Sequence, residues 1–212
     1  MNAKKLHTPI LFCFSGPGGS GKSTICDRLV EEDGALMPSV STTTREPRSD
    51  EQDGVHYHFV SRDEFERRIA QGRFLEHAIF GENRYGTEKT NVEAAAKKQM
   101  DVLLDIEVQG VDQVRTLFPQ QTVVVFVFPP TFEALAQRMR GRGSDDETAI
   151  AQRLEIAEQE IERLRQPTFS DYLLLNDVLD EAVKTAQAIV RAERMRLWRR
   201  SEQALDGILN KR

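Results

Sequence analysis

The chain alternates short apolar runs with stretches of helical periodicity. The β-branched and aromatic run at 122–128 is typical of an interior strand of a parallel sheet. Similar or shorter runs predict further strands over 9–14, 36–40, 57–60, 74–80, 102–107 and 172–175. Helices are predicted over 22–31, from a capping box at 61–64 to Gly72, over 91–100, after 129–131, after a second capping box at 144–147, and from about 180 to the C-terminus.

This alternation predicts an α/β fold, a three-layer sandwich with a parallel central sheet. Between residues 37 and 90 the chain becomes polar and turn-rich, which indicates an inserted α+β subdomain within a core formed by 1–36 and 91–212. Two glycines between 138 and 143 suggest a hinge, and we interpret 138–160 as a mobile helical lid within that core. A solvated basic turn is the alternative interpretation of the lid.

One motif stands out between the first predicted strand and the first helix. Gly16 and Gly21-Lys22-Ser23 form the G-x4-G-K-S pattern of a P-loop, which identifies the core as a P-loop fold. The loop's backbone N–H groups and the helix N-terminus would bind the phosphates of ATP, Lys22 would reach the β- and γ-phosphates, and the Ser23 hydroxyl would ligate Mg²⁺. The expected ATP-binding residues here are Gly16, Pro17, Gly18, Gly19, Ser20, Gly21, Lys22, Ser23 and Thr24. The alternative is a glycine-rich turn that binds nothing.

Composition narrows the class of protein. The 212 residues are 39% hydrophobic and 30% charged, enough for one compact domain with inserted subdomains. A net charge of −5 argues against nucleic-acid binding. The absence of a long apolar run or signal peptide argues against a membrane partner and favours the cytoplasm. The two cysteines resemble small buried hydrophobes, and the four histidines lack metal-ligand spacing, with His56 and His58 on the exposed face of a strand.

Charged side chains in unusual settings suggest an acceptor site. Arg45 and Arg48 flank Pro47 and could bind a phosphate together, although a solvated loop is the alternative. Glu76 interrupts an apolar strand and requires a partner unless it faces outward. Asp105 and Glu107 end a buried strand, two residues apart and so on one side of it, as candidates for Mg²⁺ or the acceptor or as a structural pair.

Arginines also cluster near the predicted lid and near the C-terminus. Arg138 and Arg142 lie in the glycine-containing segment, and Arg153 lies about two turns into the following helix, from where they could reach phosphates. The C-terminal basic residues are expected to form a solvated face, with packing on another subunit as the alternative; they are Arg191, Arg194, Arg196, Arg199 and Arg200.

Taken together, these segments resemble the guanylate kinase family over nearly the whole chain. The resemblance rests on the P-loop and on further motifs in the family's order and at similar spacing: S-V-S-T-T-T-R-E-P-R (39–48), D-G-V-H-Y-H-F-V (53–60), F-L-E-H (74–77), R-Y-G-T (84–87), L-L-D-I-E-V-Q-G (103–110) and R-M-R-G-R-G (138–143). The chain departs from the common pattern in the P-loop, where glycine precedes serine. It also has Arg84 where many members have tyrosine and Glu107 where many have aspartate.

The resemblance implies transfer of the γ-phosphoryl group of ATP to GMP, with dGMP expected as a second acceptor. It implies that 37–90 binds GMP and that Asp105 lies near the acceptor and, through a water, the metal. The implied GMP-binding residues are Ser41, Arg45, Arg48, Tyr57, Glu76, Tyr85, Thr87, Asp105 and Glu107. The implied catalytic residues are Lys22, Arg138, Arg142 and Arg153, and Asn176 is placed near the adenine of ATP.

Physical reasoning supports the guanine assignment. Guanine presents N1–H and an exocyclic amine on one edge, and a carboxylate such as Glu76 accepts from both, whereas adenine presents an acceptor at N1. The alternatives are a related P-loop kinase with another small phosphorylated acceptor and a non-catalytic guanylate-kinase-like binding module. A GTPase would require an N-K-x-D-type motif, which the sequence lacks. The sequence leaves the oligomeric state open.

Overall fold

A computed structural model describes residues 9–49, 51–141 and 147–199 of the protein. The strands are β1 (Leu11–Ser15), β2 (Leu36–Pro38), β3 (Thr42–Thr43), β4 (His58–Phe59), β5 (Phe74–Phe80), β6 (Asn83–Glu88), β7 (Asp101–Asp105), β8 (Thr122–Phe128) and β9 (Tyr172–Leu175). The helices are α1 (Lys22–Glu32), α2 (Arg62–Ala70), α3 (Lys89–Lys97), α4 (Val108–Leu117), α5 (Phe132–Gly141), α6 (Glu147–Glu162) and α7 (Leu179–Met195). Short 3-10 helices cover Arg163–Arg165 and Leu197–Arg199.

Five strands form a parallel sheet in the order β2-β7-β1-β8-β9. Successive residues of β1 face opposite sides of this sheet. Phe12 and Phe14 pack with α1 and α7 in one apolar cluster, whereas Leu11 and Cys13 pack with α3 and α4 in another. The predicted three-layer α/β sandwich with a parallel central sheet is therefore confirmed.

A second, mixed sheet lies between β2 and α3 in the chain. Its strand order is β4-β3-β6-β5, with β6 antiparallel to both of its neighbours. Ser61 is the N-cap of helix α2, and its side chain accepts a hydrogen bond from the Glu64 N–H, as the capping box predicts. Phe65 of α2 stacks on Phe74 of β5 with ring centroids 4.5 Å apart. Strand β5 also contacts α4 of the core.

Several predicted bounds need correction. The strand predicted at 57–60 is only His58–Phe59, and His56 lies in the preceding turn rather than on a strand. The strand predicted at 102–107 ends at Asp105, and Glu107 is the residue that precedes α4. Asp105 and Glu107 therefore do not share one side of a strand. The helix predicted from about 180 ends at Met195.

The predicted solvated face at the C-terminus is wrong for two of its arginines. Arg194 pairs with Asp33 at 2.6 Å and with the fully buried Asp101 at 2.7 Å. Arg199 is buried, contacts Glu193 at 3.1 Å and donates to the carbonyl of Gln120. These side chains join α7 and the last 3-10 helix to the core. Arg200 lies outside the described residues.

Other features agree with the sequence. Cys13 and Cys26 are buried free thiols, as predicted. Within the described part of the chain, no helix combines the length and the apolar character that crossing a bilayer requires. The second capping box, at 144–147, has its first three residues outside the described ranges.

Candidate active site

A cavity of about 390 Å³ lies between the P-loop, the second sheet and α6. It brings together most of the site residues predicted from the sequence. These are Pro17, Gly18, Gly19, Ser20, Gly21, Lys22, Ser23, Thr24, Ser41, Arg45, Arg48, Tyr57, Glu76, Tyr85, Asp105, Glu107 and Arg153. A second cavity of about 710 Å³ adjoins it and shares Ser23, Ser41, Arg48, Tyr57, Asp105 and Arg153.

The P-loop has the backbone that its glycines permit. Gly16 and Gly21 have positive φ angles of 130° and 90°. Both also approach neighbouring atoms closely: a Cβ on Gly16 would lie 2.3 Å from the carbonyl oxygen of Val127, and one on Gly21 would lie 2.3 Å from Nδ2 of Asn176. The Asn176 amide donates to the Ser20 carbonyl at 2.8 Å. The loop is thus shaped by β8 and by the residue after β9.

Lys22 is the positive group of this loop. It is only 8% exposed, and its ammonium group donates to the carbonyls of Gly16 and Pro17. Burial favours the neutral amine, but the carboxylates of Asp105, Glu107 and Glu160 outweigh it, so the pKa of Lys22 lies above its usual value. Lys22 therefore keeps its charge. Ser20 Oγ is buried without a hydrogen-bond partner among the described residues. Its hydroxyl is therefore available to donate to an oxygen atom of a ligand bound in the loop.

Beside the loop, Ser23 and Asp105 offer oxygen ligands for a hard cation. The Ser23 hydroxyl donates at 2.7 Å to Oδ2 of Asp105, the last residue of β7. The described residues contain no group of three or more His, Cys, Asp or Glu side chains that could hold a metal alone. A hydroxyl and one carboxylate fit Mg²⁺, which usually keeps several waters and takes its other ligands from substrate phosphates.

The second sheet and the loop before β4 contribute a cationic and aromatic wall. Arg45 pairs with Glu51 at 2.7 Å and lies over the Tyr57 ring, with Cζ 5.5 Å from the ring centroid. The backbone N–H of Arg48 donates to the same Glu51 carboxylate at 2.8 Å. Glu51 thus holds the two arginine residues on one side of the cavity. Its pKa lies below the usual value, mainly because of the hydrogen bond from the Arg45 side chain, with smaller contributions from the Arg48 backbone N–H and the two positive charges. Tyr57 meets Tyr85 edge to face, with centroids 6.0 Å apart.

Glu76 is the buried acid of this wall. It is 4% exposed, lies opposite Thr87 in the β5–β6 ladder, and its carboxylate rests against Gly110 in the first turn of α4. Burial raises the pKa of Glu76 to about 7, with a smaller contribution from Glu107, although the nearby hydroxyl and N–H of Thr87 act in the opposite direction. Thr87 Oγ1 forms no well-aligned hydrogen bond with any described residue. Glu76, which lines the cavity, and Thr87 opposite it thus retain unused hydrogen-bonding capacity.

One face of α6 covers the opposite side of the cavity. Ala149, Arg153 and Ile156 line the cavity at helical spacing, and Glu160 is the next residue on that face. Glu160 is 8% exposed, and its Oε2 atom lacks a hydrogen-bond partner among the described residues. Burial and the Glu107 carboxylate raise its pKa to about 7, against the influence of Lys22.

Glu160 makes stability depend on pH. Its pKa is raised in the folded protein, so its protonated form stabilises the fold at low pH, and this contribution is lost as pH rises from about 4.5 to about 7. We therefore expect Glu160→Gln to raise the free energy of unfolding by about 1–3 kcal/mol at about pH 8 and to change it little at about pH 5. Urea unfolding at both pH values measures this. Glu158→Gln, an exposed position on the same helix, is the control, and an equal effect at both pH values would contradict the assignment.

A family model described as "Guanylate kinase" matches residues 8–193 of the chain. The chain belongs to the guanylate kinase family. It is 46% identical over 187 residues to guanylate kinase of Neisseria gonorrhoeae, covering 88% of this chain and 89% of the relative. It is 42% identical over 210 residues to guanylate kinase of Zymomonas mobilis, covering 99% and 95%. The crystal structure of guanylate kinase from Anaplasma phagocytophilum matches with a TM-score of 0.78 and 31% identity, over 98% of this chain and 96% of that one.

Four residues that the sequence assigns to the site, Gly16, Thr87, Arg138 and Asn176, are not among those that line this cavity. Gly16 packs on β8, and Thr87 lies opposite Glu76 in the β5–β6 ladder. Arg138 donates to the carbonyl of Asn176 at 2.8 Å, and neither residue lines the cavity. Arg142 lies outside the described residues.

The structure also adds residues that sequence reasoning missed. Glu51 holds Arg45 and Arg48, Gly110 and Gln113 contact β5, and Glu160 extends the cavity-facing side of α6. Glu160 could have been found from its spacing of seven residues after Arg153, two helical turns along the same face. The contacts of the other three residues join segments that are far apart or irregular, and no local pattern indicates them.

Proposed function

We propose that this protein is an ATP:GMP phosphotransferase that transfers the γ-phosphoryl group of Mg·ATP to GMP, and to dGMP, giving ADP and GDP or dGDP. One observation carries the proposal: a single cavity is lined both by the P-loop with Lys22 and by an arginine–tyrosine wall around the buried acid Glu76. The first half suits the phosphates of the donor, and the second suits a guanine base with one phosphate.

On the donor side, residues 16–24 would bind the ATP phosphates through backbone N–H groups and Lys22. Ser23, with Asp105 through a water, would hold Mg²⁺, which neutralises phosphate charge when bound. Asn176 would act from behind the loop: its amide fixes the Ser20 carbonyl and packs against Gly21. Its contribution to ATP binding would then come through the shape of the loop.

On the acceptor side, residues 37–90 would form the GMP-binding subdomain. Arg45, Arg48, Tyr57 and Tyr85 would bind the GMP phosphate, since forked guanidinium groups suit a dianion. Glu76 would accept from guanine N1–H and the exocyclic amine, with Ser41, Thr87 and Glu107 completing recognition of the base. Adenine would leave the buried carboxylate facing an acceptor, which the site would reject strongly.

The transfer would need no general base, because a phosphate monoester with a second pKa near ~6 is already largely dianionic at neutral pH. The protein's task is to hold two polyanions in line and to neutralise the charge that shifts between them. Lys22 and Arg153 line the cavity where this would occur, and a lid over 138–160 would bring Arg138 and Arg142 toward it. Closure would also exclude water as a competing acceptor.

Product analysis tests the reaction directly. With ATP labelled in the γ-phosphate and unlabelled GMP, we expect the label to appear in the β-phosphate of GDP. Release of the label as inorganic phosphate in the presence of GMP would instead indicate a hydrolase. The absence of any labelled product would favour a binding module.

The ionisation of Glu76 predicts how acceptor affinity depends on pH. Its pKa is raised to about 7 in the free protein, and only the carboxylate accepts two hydrogen bonds from guanine. We expect KM for GMP to fall several-fold from about pH 6 to about pH 8, while KM for ATP changes little. Glu76→Gln should remove the part of this slope above about pH 7, where GMP is already a dianion. An unchanged slope in the variant would assign it to another group.

A further inference from the structure

We propose that Gly110 and Gln113, on one face of α4, position the Glu76 carboxylate and thereby help to set base specificity. Neither residue lines the cavity, so both would act through Glu76 as positioning residues. The inference rests on the proposed function, in which Glu76 accepts hydrogen bonds from guanine.

Gly110 leaves the space that the carboxylate occupies. A Cβ added to Gly110 would lie 2.3 Å from Glu76 Oε2, 2.9 Å from Cδ and 3.3 Å from Cγ. Gly110 is the third residue of α4, and its φ is not positive, so its backbone conformation does not require glycine. Alanine would ordinarily stabilise such a helical position. The close approach of the Glu76 side chain therefore explains why this position is occupied by glycine.

Gln113 fixes the strand that carries Glu76. Its Nε2 donates to the His77 carbonyl at 2.7 Å, and its Oε1 accepts from the His77 N–H at 3.2 Å. Strand β5 is an edge strand of its sheet, so these backbone groups face away from β6. The amide of Gln113 therefore supplies His77, the residue next to Glu76, with the two backbone hydrogen bonds that a neighbouring strand would otherwise provide.

Helix α4 joins this device to the donor side of the site. Val108, Val111 and Val114 of α4 are buried in the core, and α4 follows β7, which ends at Asp105. Gly110 and Gln113 are three residues apart and so lie on one face of the helix. The N-terminal end of α4 also favours a negative charge beside it. The position of the Glu76 carboxylate is thereby coupled, through α4 and β7, to the position of the residues that face the phosphates.

Replacement of Gly110 by alanine should displace the Glu76 carboxylate by about 1 Å, and an error of that size in a positioned group can cost about 10²-fold. We expect Gly110→Ala to lower kcat/KM for GMP by about 10–10²-fold, mainly through KM, with KM for ATP within about twofold. The melting temperature should change by only a few degrees, because the helix preference of alanine opposes the strain of moving the buried Glu76 side chain. Gly34→Ala is the matched control, since no described atom lies within 4 Å of its Cβ position and its φ is not positive.

A double mutant separates positioning from a general effect on α4. With Glu76→Gln already in place, Gly110→Ala should cause little additional loss of kcat/KM for GMP, because the displaced group no longer contributes. Losses that multiply would overturn the inference. Gln113→Ala provides an independent measurement if Gly110→Ala folds poorly: we expect KM for GMP to rise about 3–10-fold, and an unchanged KM would also overturn it.

The variants distinguish the role of Glu76 from the roles of Gly110 and Gln113. If Glu76→Gln weakens GMP and ATP equally, the proposed reading of guanine by Glu76 is wrong. If Glu76→Gln is selective for GMP but Gly110→Ala and Gln113→Ala both behave like Gly34→Ala, only the positioning inference is wrong.

Discussion

Lys22→Ala is expected to lower kcat by about 10³-fold or more while the dissociation constant for GMP changes by no more than a few-fold. Lys22 is the buried cation of the P-loop, and nearby carboxylates keep it charged. Its ammonium group would stabilise charge on the transferring phosphoryl group. A transition-state arginine that does the same in P-loop GTPases is worth about 10³–10⁵ in rate, and we expect a similar magnitude for this lysine. Stopped-flow or coupled assays measure kcat, and calorimetry measures GMP affinity.

The matched control for this change is Lys97→Ala. Lys97 is exposed on α3, so the variant removes one positive charge without changing the cavity. A near-normal kcat for Lys22→Ala would mean that the G-x4-G-K-S loop does not contact the reacting phosphates. Equal losses of GMP and ATP binding would instead indicate that Lys22 holds the loop together through the carbonyls of Gly16 and Pro17.

Glu76→Gln is expected to lower kcat/KM for GMP by about 10²–10³-fold and to leave KM for ATP nearly unchanged. The Glu76 carboxylate would accept from two guanine donors. In the glutamine variant, the side-chain NH₂ group replaces one carboxylate oxygen and would face a guanine donor without a hydrogen bond. Loss of a charge-assisted hydrogen bond and burial of an unpaired group cost about 3–4 kcal/mol together, which corresponds to this range. The neutral side chain has the same shape and removes a buried charge, so stability should not fall.

Inosine monophosphate sharpens the second experiment because it lacks the exocyclic amine of GMP. The wild-type protein should prefer GMP strongly, and Glu76→Gln should narrow that preference. Glu93→Gln, on the exposed side of α3, is the control for removing one negative charge. A loss shared equally by GMP, inosine monophosphate and ATP would mean that Glu76 is structural.

The parts of the fold that local sequence determines were predictable. The β-branched run of β8 is an interior parallel strand, and the helix expected after the P-loop begins at Lys22. Serine and glutamate at 61 and 64 form the cap that their spacing indicates. In each case a few consecutive residues carry both the pattern and its physical cause.

The errors arise where distant segments decide the outcome. Arg194 looked like part of a solvated basic face, but Asp33 and Asp101, which are remote in sequence, hold it against the core. Periodicity along one segment cannot report such contacts.

The candidate site shows the same division. Lys22, Arg45 and Glu76 could be proposed from motifs or from an unusual local setting, and they line one cavity. Glu51 and Gln113 have no such signal, because their roles consist of contacts to Arg45 and to the backbone of His77. Groups that face a ligand are therefore easier to find from the sequence than groups that hold them in place.

The most direct test of the central claim is the acceptor specificity of the wild-type protein. ADP release from Mg·ATP would be followed with GMP, dGMP, AMP, CMP and UMP offered separately, and kcat/KM compared. The account predicts turnover with GMP and dGMP and values lower by at least about 10³-fold for the other three, because only guanine satisfies the buried carboxylate. Comparable turnover with AMP or a pyrimidine nucleotide would contradict the assignment of Glu76 to guanine, and no turnover with any acceptor would contradict the proposed reaction itself.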